Sequence, residues 1–205
     1  DSSTSRGLGD VYKRQAMRRG MWQTGMPEPL AGKRLGVLGL GKLGAAVAKV
    51  GLAFGMDVVA WSPNLTDERA AEAGVKRVDK HELFSTSDVV SLHLILSDRS
   101  RHIVDAAALA AMKPSAYLVN TSRAGLVDQE ALMDALVKFR IAGAGLDVYD
   151  EEPLSPTDNL RDLDNVILTP HLGYVSRENF EAFYRNALEA VKAWQAGAPV
   201  RVLNA

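Results

Sequence analysis

The chain has 205 residues, of which 47% are hydrophobic and 24% are charged, proportions that are ordinary for a globular protein. Its 24 basic and 25 acidic residues give a net charge of −1, so the charge balance favours neither a nucleic-acid partner nor a membrane surface. The absence of cysteine excludes disulfides and thiolate-bound metals, and no apolar run reaches the ~18 residues that span a bilayer.

The first two segments carry little regular pattern. Residues 1–15 are polar and without helical or strand period, which predicts a tail that is unstructured or foreign to the fold. They also lack the apolar core of a signal peptide, so we expect a soluble, cytoplasmic protein. Residues 16–32 predict the end of a helix followed by a lead-in rich in proline and glycine.

From Lys33 onward, short apolar runs alternate with amphipathic segments. Because strands that alternate with helices form right-handed crossovers, this order predicts an α/β fold of the Rossmann type. The runs are continuously apolar, which is typical of strands with helices on both faces of a doubly wound parallel sheet. We predict seven strands, at 35–38, 57–61, 75–78, 88–94, 116–120, 143–149 and 166–169, with helices at 44–54, 66–73, 106–112, 127–139 and 176–195 and a helical turn at 81–84.

A glycine-rich loop joins the first strand to the first helix. Gly39, Gly41 and Gly44 stand in the sequence GLGKLG, where they allow a tight turn, close approach of a pyrophosphate, and packing of helix on strand, respectively. The following helix would direct its free N–H groups and positive dipole end at the phosphates. The loop therefore predicts a dinucleotide site.

The end of the second strand should carry the residue that reads the adenosine ribose. An acidic residue there favours NAD, because a carboxylate repels a 2′-phosphate. This chain has Ser62 in that place, followed by Asn64, and the next basic residue is Arg69. The choice of cofactor stays open at this point; we favour NAD, with NADP as the alternative.

Five segments in chain order resemble the successive signatures of the D-isomer-specific 2-hydroxyacid dehydrogenases. That family includes phosphoglycerate dehydrogenases, D-lactate dehydrogenases and glyoxylate/hydroxypyruvate reductases. The resemblance implies an oxidoreductase that transfers a hydride between NAD(P) and a small D-2-hydroxy acid or 2-keto acid. It runs from about Gly20 to the C-terminus and rests on LGVLGLGKLG, DVVSLHL, LVNTSRAGLVDQEAL, GAGLDVYDEEPL and NVILTPHLGYVS.

The resemblance also implies three catalytic residues. Arg123 in NTSRAG would hold the substrate carboxylate through two parallel hydrogen bonds. His171 in TPHLG would exchange a proton with the substrate oxygen. Glu152 would orient that imidazole and favour its charged form; only the resemblance distinguishes it from the neighbouring Asp150 and Glu151.

Residues after other strands are expected to contact the cofactor, because ligands bind beyond the carboxyl ends of parallel strands. The resemblance places His93 against the cofactor and Asp147 near the nicotinamide carboxamide. No metal site is predicted, since no cluster of His, Asp and Glu has ligand spacing and hydride transfer needs no metal. The expected cofactor-binding residues are Gly39, Gly41, Lys42, Leu43, Gly44, Ser62, Pro63, His93, Thr121, Asp147 and Gly173.

The expected domain organisation is a dinucleotide-binding domain at 16–175, followed by a C-terminal helix and tail at 176–205. In the family that final segment returns to a substrate domain, most of which is missing from this chain, so we expect little activity from the chain alone and no readable substrate identity. The resemblance implies a homodimer. A non-catalytic, dinucleotide-sensing interaction protein of the co-repressor type is the alternative, since such relatives keep similar catalytic residues. A formate dehydrogenase is disfavoured because that relative carries glutamine where this chain has Glu152.

Overall fold

The computed structural model describes residues 17–22 and 28–203. The predicted tail at 1–15 lies outside the described residues, as do residues 16 and 23–27 of the lead-in, although Met17 and Arg18 are helical. The described residues up to Pro170 form one compact unit, and those from His171 onward form a second.

The first unit is built on one parallel sheet, as predicted. Within the described residues it has seven strands in the order β3-β2-β1-β4-β5-β6-β7, and every neighbouring pair is parallel. The strand order reverses between β1 and β4, the place where a doubly wound sheet opens a crevice for ligands. The strands are β1 (Arg34–Leu38), β2 (Asp57–Trp61), β3 (Lys76–Arg77), β4 (Val89–Leu92), β5 (Tyr117–Asn120), β6 (Gly143–Leu146) and β7 (Val166–Leu168).

Helices cover both faces of this sheet. Successive side chains of a strand point to opposite faces, and in β1 Val37 belongs to one hydrophobic cluster while Leu38 belongs to the other. Burial on both sides explains why the strands read as continuous apolar runs. The helices are α1 (Lys42–Ala53), α2 (Asp67–Glu72), α3 (Lys80–Thr86), α4 (Ala106–Ala111), α5 (Gln129–Val137) and α6 (Arg177–Gln195), with 3-10 turns at Ala124–Leu126 and Asn159–Asp162.

One predicted helix differs from the structure in two respects, both for local reasons. The helix expected at 127–139 begins only at Gln129, because the Asp128 carboxylate caps it by accepting the N–H of Ala131. The apolar spacing of Leu132, Leu136 and Val137 predicts that they share one buried face, but Val137 is 54% exposed while the two leucines are fully buried. A residue five positions along a helix is rotated away from the face that positions three and four share.

The second unit consists largely of α6, which follows the predicted helix closely. The Ser176 side chain caps it by accepting the N–H of Asn179. None of its residues is buried, although Phe180 and Phe183 pack against each other and against Tyr174. No helix in the described part of the chain is both long and apolar enough to cross a membrane.

Candidate functional site

The strand register aligns the carboxyl ends of six strands at one edge of the sheet. Five of the six chain segments that leave this edge begin with a residue of the predicted site, and the sixth begins with Thr169, two positions before His171. Residues far apart in sequence therefore emerge side by side. The strand-end residues in register across the edge are Trp61, Leu38, Leu92, Asn120, Leu146 and Leu168.

The three glycines of the loop play different structural roles. Gly39 has a positive φ of 102°, and a Cβ there would lie 2.8 Å from the backbone carbonyl carbon of His93. A Cβ on Gly44 would overlap the carbonyl oxygen of Gly39, so helix and loop approach as closely as the sequence predicted. A Cβ on Gly41, in contrast, would meet nothing within 4 Å. Packing therefore requires glycine at 39 and 44, whereas position 41 borders open space that a ligand can enter.

Helix α1 begins differently from the other five α-helices in the described residues. Gly41 is its N-cap and provides no side-chain hydrogen bond, whereas a side chain caps each of the others; like α4, it also has no acidic residue in its first turn. Lys42 and Leu43, both predicted cofactor contacts, are exposed there. Uncapped N–H groups at a positive dipole end form an anion site, so this terminus fits a pyrophosphate. The side chains that cap the other helices are Thr66, Asp79, Asp105, Asp128 and Ser176.

Ser62 follows β2 directly beside this loop. The N–H of Gly39 donates to the carbonyl oxygen of Trp61 at 2.8 Å, which ties the loop to the end of β2. Ser62 is half-buried, and its carbonyl oxygen accepts the N–H of Leu65 in a turn that leaves Pro63 exposed. The position expected to read the ribose therefore adjoins the position expected to bind the phosphates.

His93 also lies against the glycine loop. Its N–H donates to the carbonyl oxygen of Leu38 at 2.8 Å, and its Nε2 lies 2.9 Å from the Ser91 hydroxyl. Burial lowers the pKa of His93, which keeps its ring neutral at pH 7. The sheet order thus brings together two predicted cofactor contacts, Gly39 and His93, that are remote in sequence.

Arg123 stands on a loop tied to two strands. The buried Asn120 donates from Nδ2 to the carbonyl oxygen of Arg123 at 2.9 Å and accepts the N–H of Ser122 at 3.0 Å. The Ser122 hydroxyl donates to the carbonyl oxygen of Leu92 at 2.7 Å. The loop backbone is fixed, while the Arg123 side chain and Thr121 are exposed. Sequence reasoning missed Asn120 and Ser122, although both precede the arginine in the NTSRAG segment.

A hydrogen-bonded group joins the ends of β6 and β7. Asp147 is only 4% exposed, and the Thr169 hydroxyl donates to its Oδ1 at 2.5 Å. The Tyr149 hydroxyl donates a bifurcated hydrogen bond to two carbonyl oxygens, those of Leu146 at 3.0 Å and Thr169 at 2.8 Å. The N–H of Tyr149 donates to Glu152 Oε1 at 3.0 Å. Sequence reasoning singled out Asp147 and Glu152 here but missed Tyr149 and Thr169.

His171 begins the second unit, whereas Arg123 and Glu152 belong to the first. Its φ of 55° is left-handed, a conformation that is uncommon outside glycine and that clusters at functional sites. Its ring meets that of Tyr174 edge-on, with centroids 5.5 Å apart. Gly173 is exposed in the same segment. In the described residues, no group of three or more His, Asp and Glu side chains is placed to hold a metal ion.

Comparison with known proteins identifies the family. The sequence model of the D-isomer specific 2-hydroxyacid dehydrogenases, NAD binding domain, matches residues 3–173. A D-3-phosphoglycerate dehydrogenase of Synechocystis sp. is 41% identical over 169 residues, which are 82% of this chain and 30% of that protein. The chain therefore belongs to the D-isomer specific 2-hydroxyacid dehydrogenase family and carries its NAD-binding domain, which confirms both the predicted family and the predicted NAD(P) cofactor.

Solved structures agree with this assignment. A Ralstonia solanacearum oxidoreductase, named as a D-3-phosphoglycerate dehydrogenase, superimposes with a TM-score of 0.90 at 35% identity and covers 99% of this chain and 63% of its own. An acyclic imino acid reductase solved with NADPH and D-Arg has a TM-score of 0.78 at 30% identity, covering 95% of this chain and 62% of its own. This chain thus spans less than two thirds of these relatives.

Proposed function

We propose that this domain binds NAD, or alternatively NADP, within a D-2-hydroxyacid dehydrogenase that interconverts a D-2-hydroxy acid and a 2-keto acid. The observation that carries the proposal is the shared edge of the sheet. There the uncapped start of α1, the open space at Gly41 and the buried Asp147 follow strands whose ends are in register.

The cofactor contacts would divide along this edge. The N–H groups at the start of α1 would hold the pyrophosphate, because they carry no side-chain cap. Ser62 would face the adenosine ribose, and neutral His93 and buried Asp147 would contact the nicotinamide end. The predicted contacts at Lys42, Leu43, Pro63, Thr121 and Gly173 complete the proposed cofactor site.

Three side chains would act on the substrate, while the bound nicotinamide would give or accept the hydride. Arg123 would hold the substrate carboxylate, since its exposed guanidinium stands on a loop anchored by Asn120 and Ser122. His171 would deliver a proton to the keto oxygen in reduction and remove it in oxidation. Glu152, held by the N–H of Tyr149, would orient that imidazole.

The C-terminal segment at 176–205 would complete a neighbouring domain. Helix α6 has four exposed aromatic side chains, and a group of exposed aromatic side chains is typical of an interface. They are Phe180, Phe183, Tyr184 and Trp194. We propose that this helix packs against the substrate domain of the whole protein, and that the protein forms a homodimer. Because oriented binding can contribute roughly 7–11 kcal/mol to barrier lowering, we expect little turnover when the 205 residues are assayed alone.

Titration of the chain with NADH and NADPH tests the cofactor site. In a Gly41→Val variant the added side chain fills space that the protein itself leaves open, so we expect binding to weaken at least about tenfold without loss of folding. Ala46→Val is the matched control, because it adds bulk to an exposed position of the same helix one turn from the loop. A folded Gly41→Val protein that binds NADH as tightly as the parent would refute the assignment.

A further inference from the structure

We infer that Thr169 is a positioning residue of the dinucleotide site, whose hydroxyl sets the direction in which Asp147 accepts a hydrogen bond from the nicotinamide carboxamide. The inference rests on the proposed function, in which Asp147 contacts that end of the cofactor. It adds a residue outside the expected set, identified by its hydrogen bonds across the ends of β6 and β7.

Thr169 is held at three points. Its N–H donates to the carbonyl oxygen of Leu146 at 3.0 Å, and its own carbonyl oxygen accepts the Tyr149 hydroxyl at 2.8 Å. These two bonds fix its backbone beside the end of β6. Its hydroxyl is then left to donate to Asp147 Oδ1 at 2.5 Å. A donor whose backbone cannot shift imposes a defined orientation on the carboxyl group that it bonds.

The surroundings make this bond consequential for Asp147. The residue is 4% exposed, and a buried carboxylate is costly unless it is hydrogen-bonded. With Oδ1 engaged by Thr169, the plane of the group is set before the ligand arrives. Such preorganisation strengthens binding because less ordering remains to be done.

The strand ends do not need this hydroxyl to stay together. Tyr149 already bridges the carbonyl oxygens of Leu146 and Thr169, and the N–H of Thr169 continues the β6–β7 pairing. The two roles are therefore separable by substitution. Thr169→Val removes the bond to the carboxylate and keeps the side-chain shape, whereas Tyr149→Phe removes the strand bridge and leaves the Thr169 hydroxyl in place.

Calorimetric titration of the 205-residue chain with NAD and with ADP-ribose distinguishes these roles, since ADP-ribose lacks the nicotinamide. For Thr169→Val we expect about tenfold weaker NAD binding, the order expected for a hydrogen bond to a charged acceptor, with ADP-ribose affinity within about twofold of the parent. Thr169→Ser, which keeps the hydroxyl, should restore NAD affinity. Tyr149→Phe should lower the melting temperature and leave the ratio of the two affinities unchanged.

A cofactor analogue tests the partner atom. In 3-acetylpyridine adenine dinucleotide a methyl group replaces the carboxamide nitrogen, so Thr169→Val and the parent should bind it equally well. Equal losses of NAD and ADP-ribose affinity would show a merely structural role, and undiminished NAD binding would show that Thr169 positions nothing; either result overturns the inference. If Thr169→Val does not fold, Thr169→Ala is judged by the same two criteria. A parent chain that binds neither ligand overturns the proposed function and this inference with it.

Discussion

Replacing the buried Ser87 with alanine should stabilise the fold. Ser87 is fully buried, and its hydroxyl is the one buried side-chain polar atom among the described residues that lacks a hydrogen-bond partner. An unsatisfied buried group of this kind costs about 1–3 kcal/mol. Allowing for the small void that its removal leaves, we expect Ser87→Ala to gain about 1 kcal/mol, which corresponds to roughly 2–4 °C in melting temperature for a chain of this size.

The same hydroxyl predicts how strongly Gly36 of β1 is constrained. A Cβ at Gly36 would overlap the Ser87 hydroxyl and would lie 3.1 Å from Leu83 Cγ and 3.2 Å from Ser87 Cβ. Overpacking of a core costs about 1–3 kcal/mol, so Gly36→Ala should destabilise the parent by that order. In the Ser87→Ala background the overlap disappears and two tight contacts remain. The penalty should therefore shrink by at least about 0.5 kcal/mol.

Thermal and urea unfolding of the parent, both single variants and the double variant, followed by circular dichroism, measures this coupling. Ser100→Ala is the matched control, because Ser100 is also buried but its hydroxyl donates to the carbonyl oxygen of Ile95 at 2.7 Å. That control should lose stability. The reasoning is refuted if Ser87→Ala loses stability as Ser100→Ala does, or if Gly36→Ala costs the same in both backgrounds.

Three further predictions concern the glycine loop, the cofactor preference and acid stability. Gly44→Ala should lower the melting temperature strongly, because its Cβ would overlap a backbone carbonyl oxygen. Gly41→Ala should keep the melting temperature within a few degrees of the parent, because its Cβ would meet nothing within 4 Å. Thermal unfolding measures both. Ser62→Asp should shift the ratio of NADH to NADPH affinity towards NADH at least about tenfold in a binding titration, because a carboxylate repels the 2′-phosphate; an unchanged ratio would place the selector elsewhere. Partial burial acts to raise the pKa of Asp88, but hydrogen bonds from the first N–H of β1 and from Lys113 outweigh it and lower the pKa below its usual value. Because the folded-state pKa is lowered, this stabilisation is complete above about pH 4 and is lost as the pH falls further. Asp88→Asn should therefore flatten the dependence of the unfolding free energy on pH in that acid range. An unchanged slope would contradict this.

Much of the fold was predictable because its determinants are local in the chain. The apolar run at 35–38 indicates a strand that is buried on both faces of a sheet, and the glycine spacing after it indicates a turn into a helix. Side-chain caps such as Asp79 and Ser176 act on N–H groups three residues away, so they too can be read from the sequence. Where the prediction was wrong, as at Val137, the apolar pattern continued after the helix had turned that side chain towards solvent.

By itself, the amino-acid sequence determined the strand and helix order, the glycine loop and the family signatures, since each depends on neighbours within a few residues. Only the tertiary structure decided which strand ends lie side by side, and with them the contacts of Ser122 with Leu92 and of Thr169 with Asp147. These hydrogen bonds join residues that are remote in sequence. No local pattern specifies them, because a hydroxyl finds its acceptor only after the sheet has set the order and register of its strands.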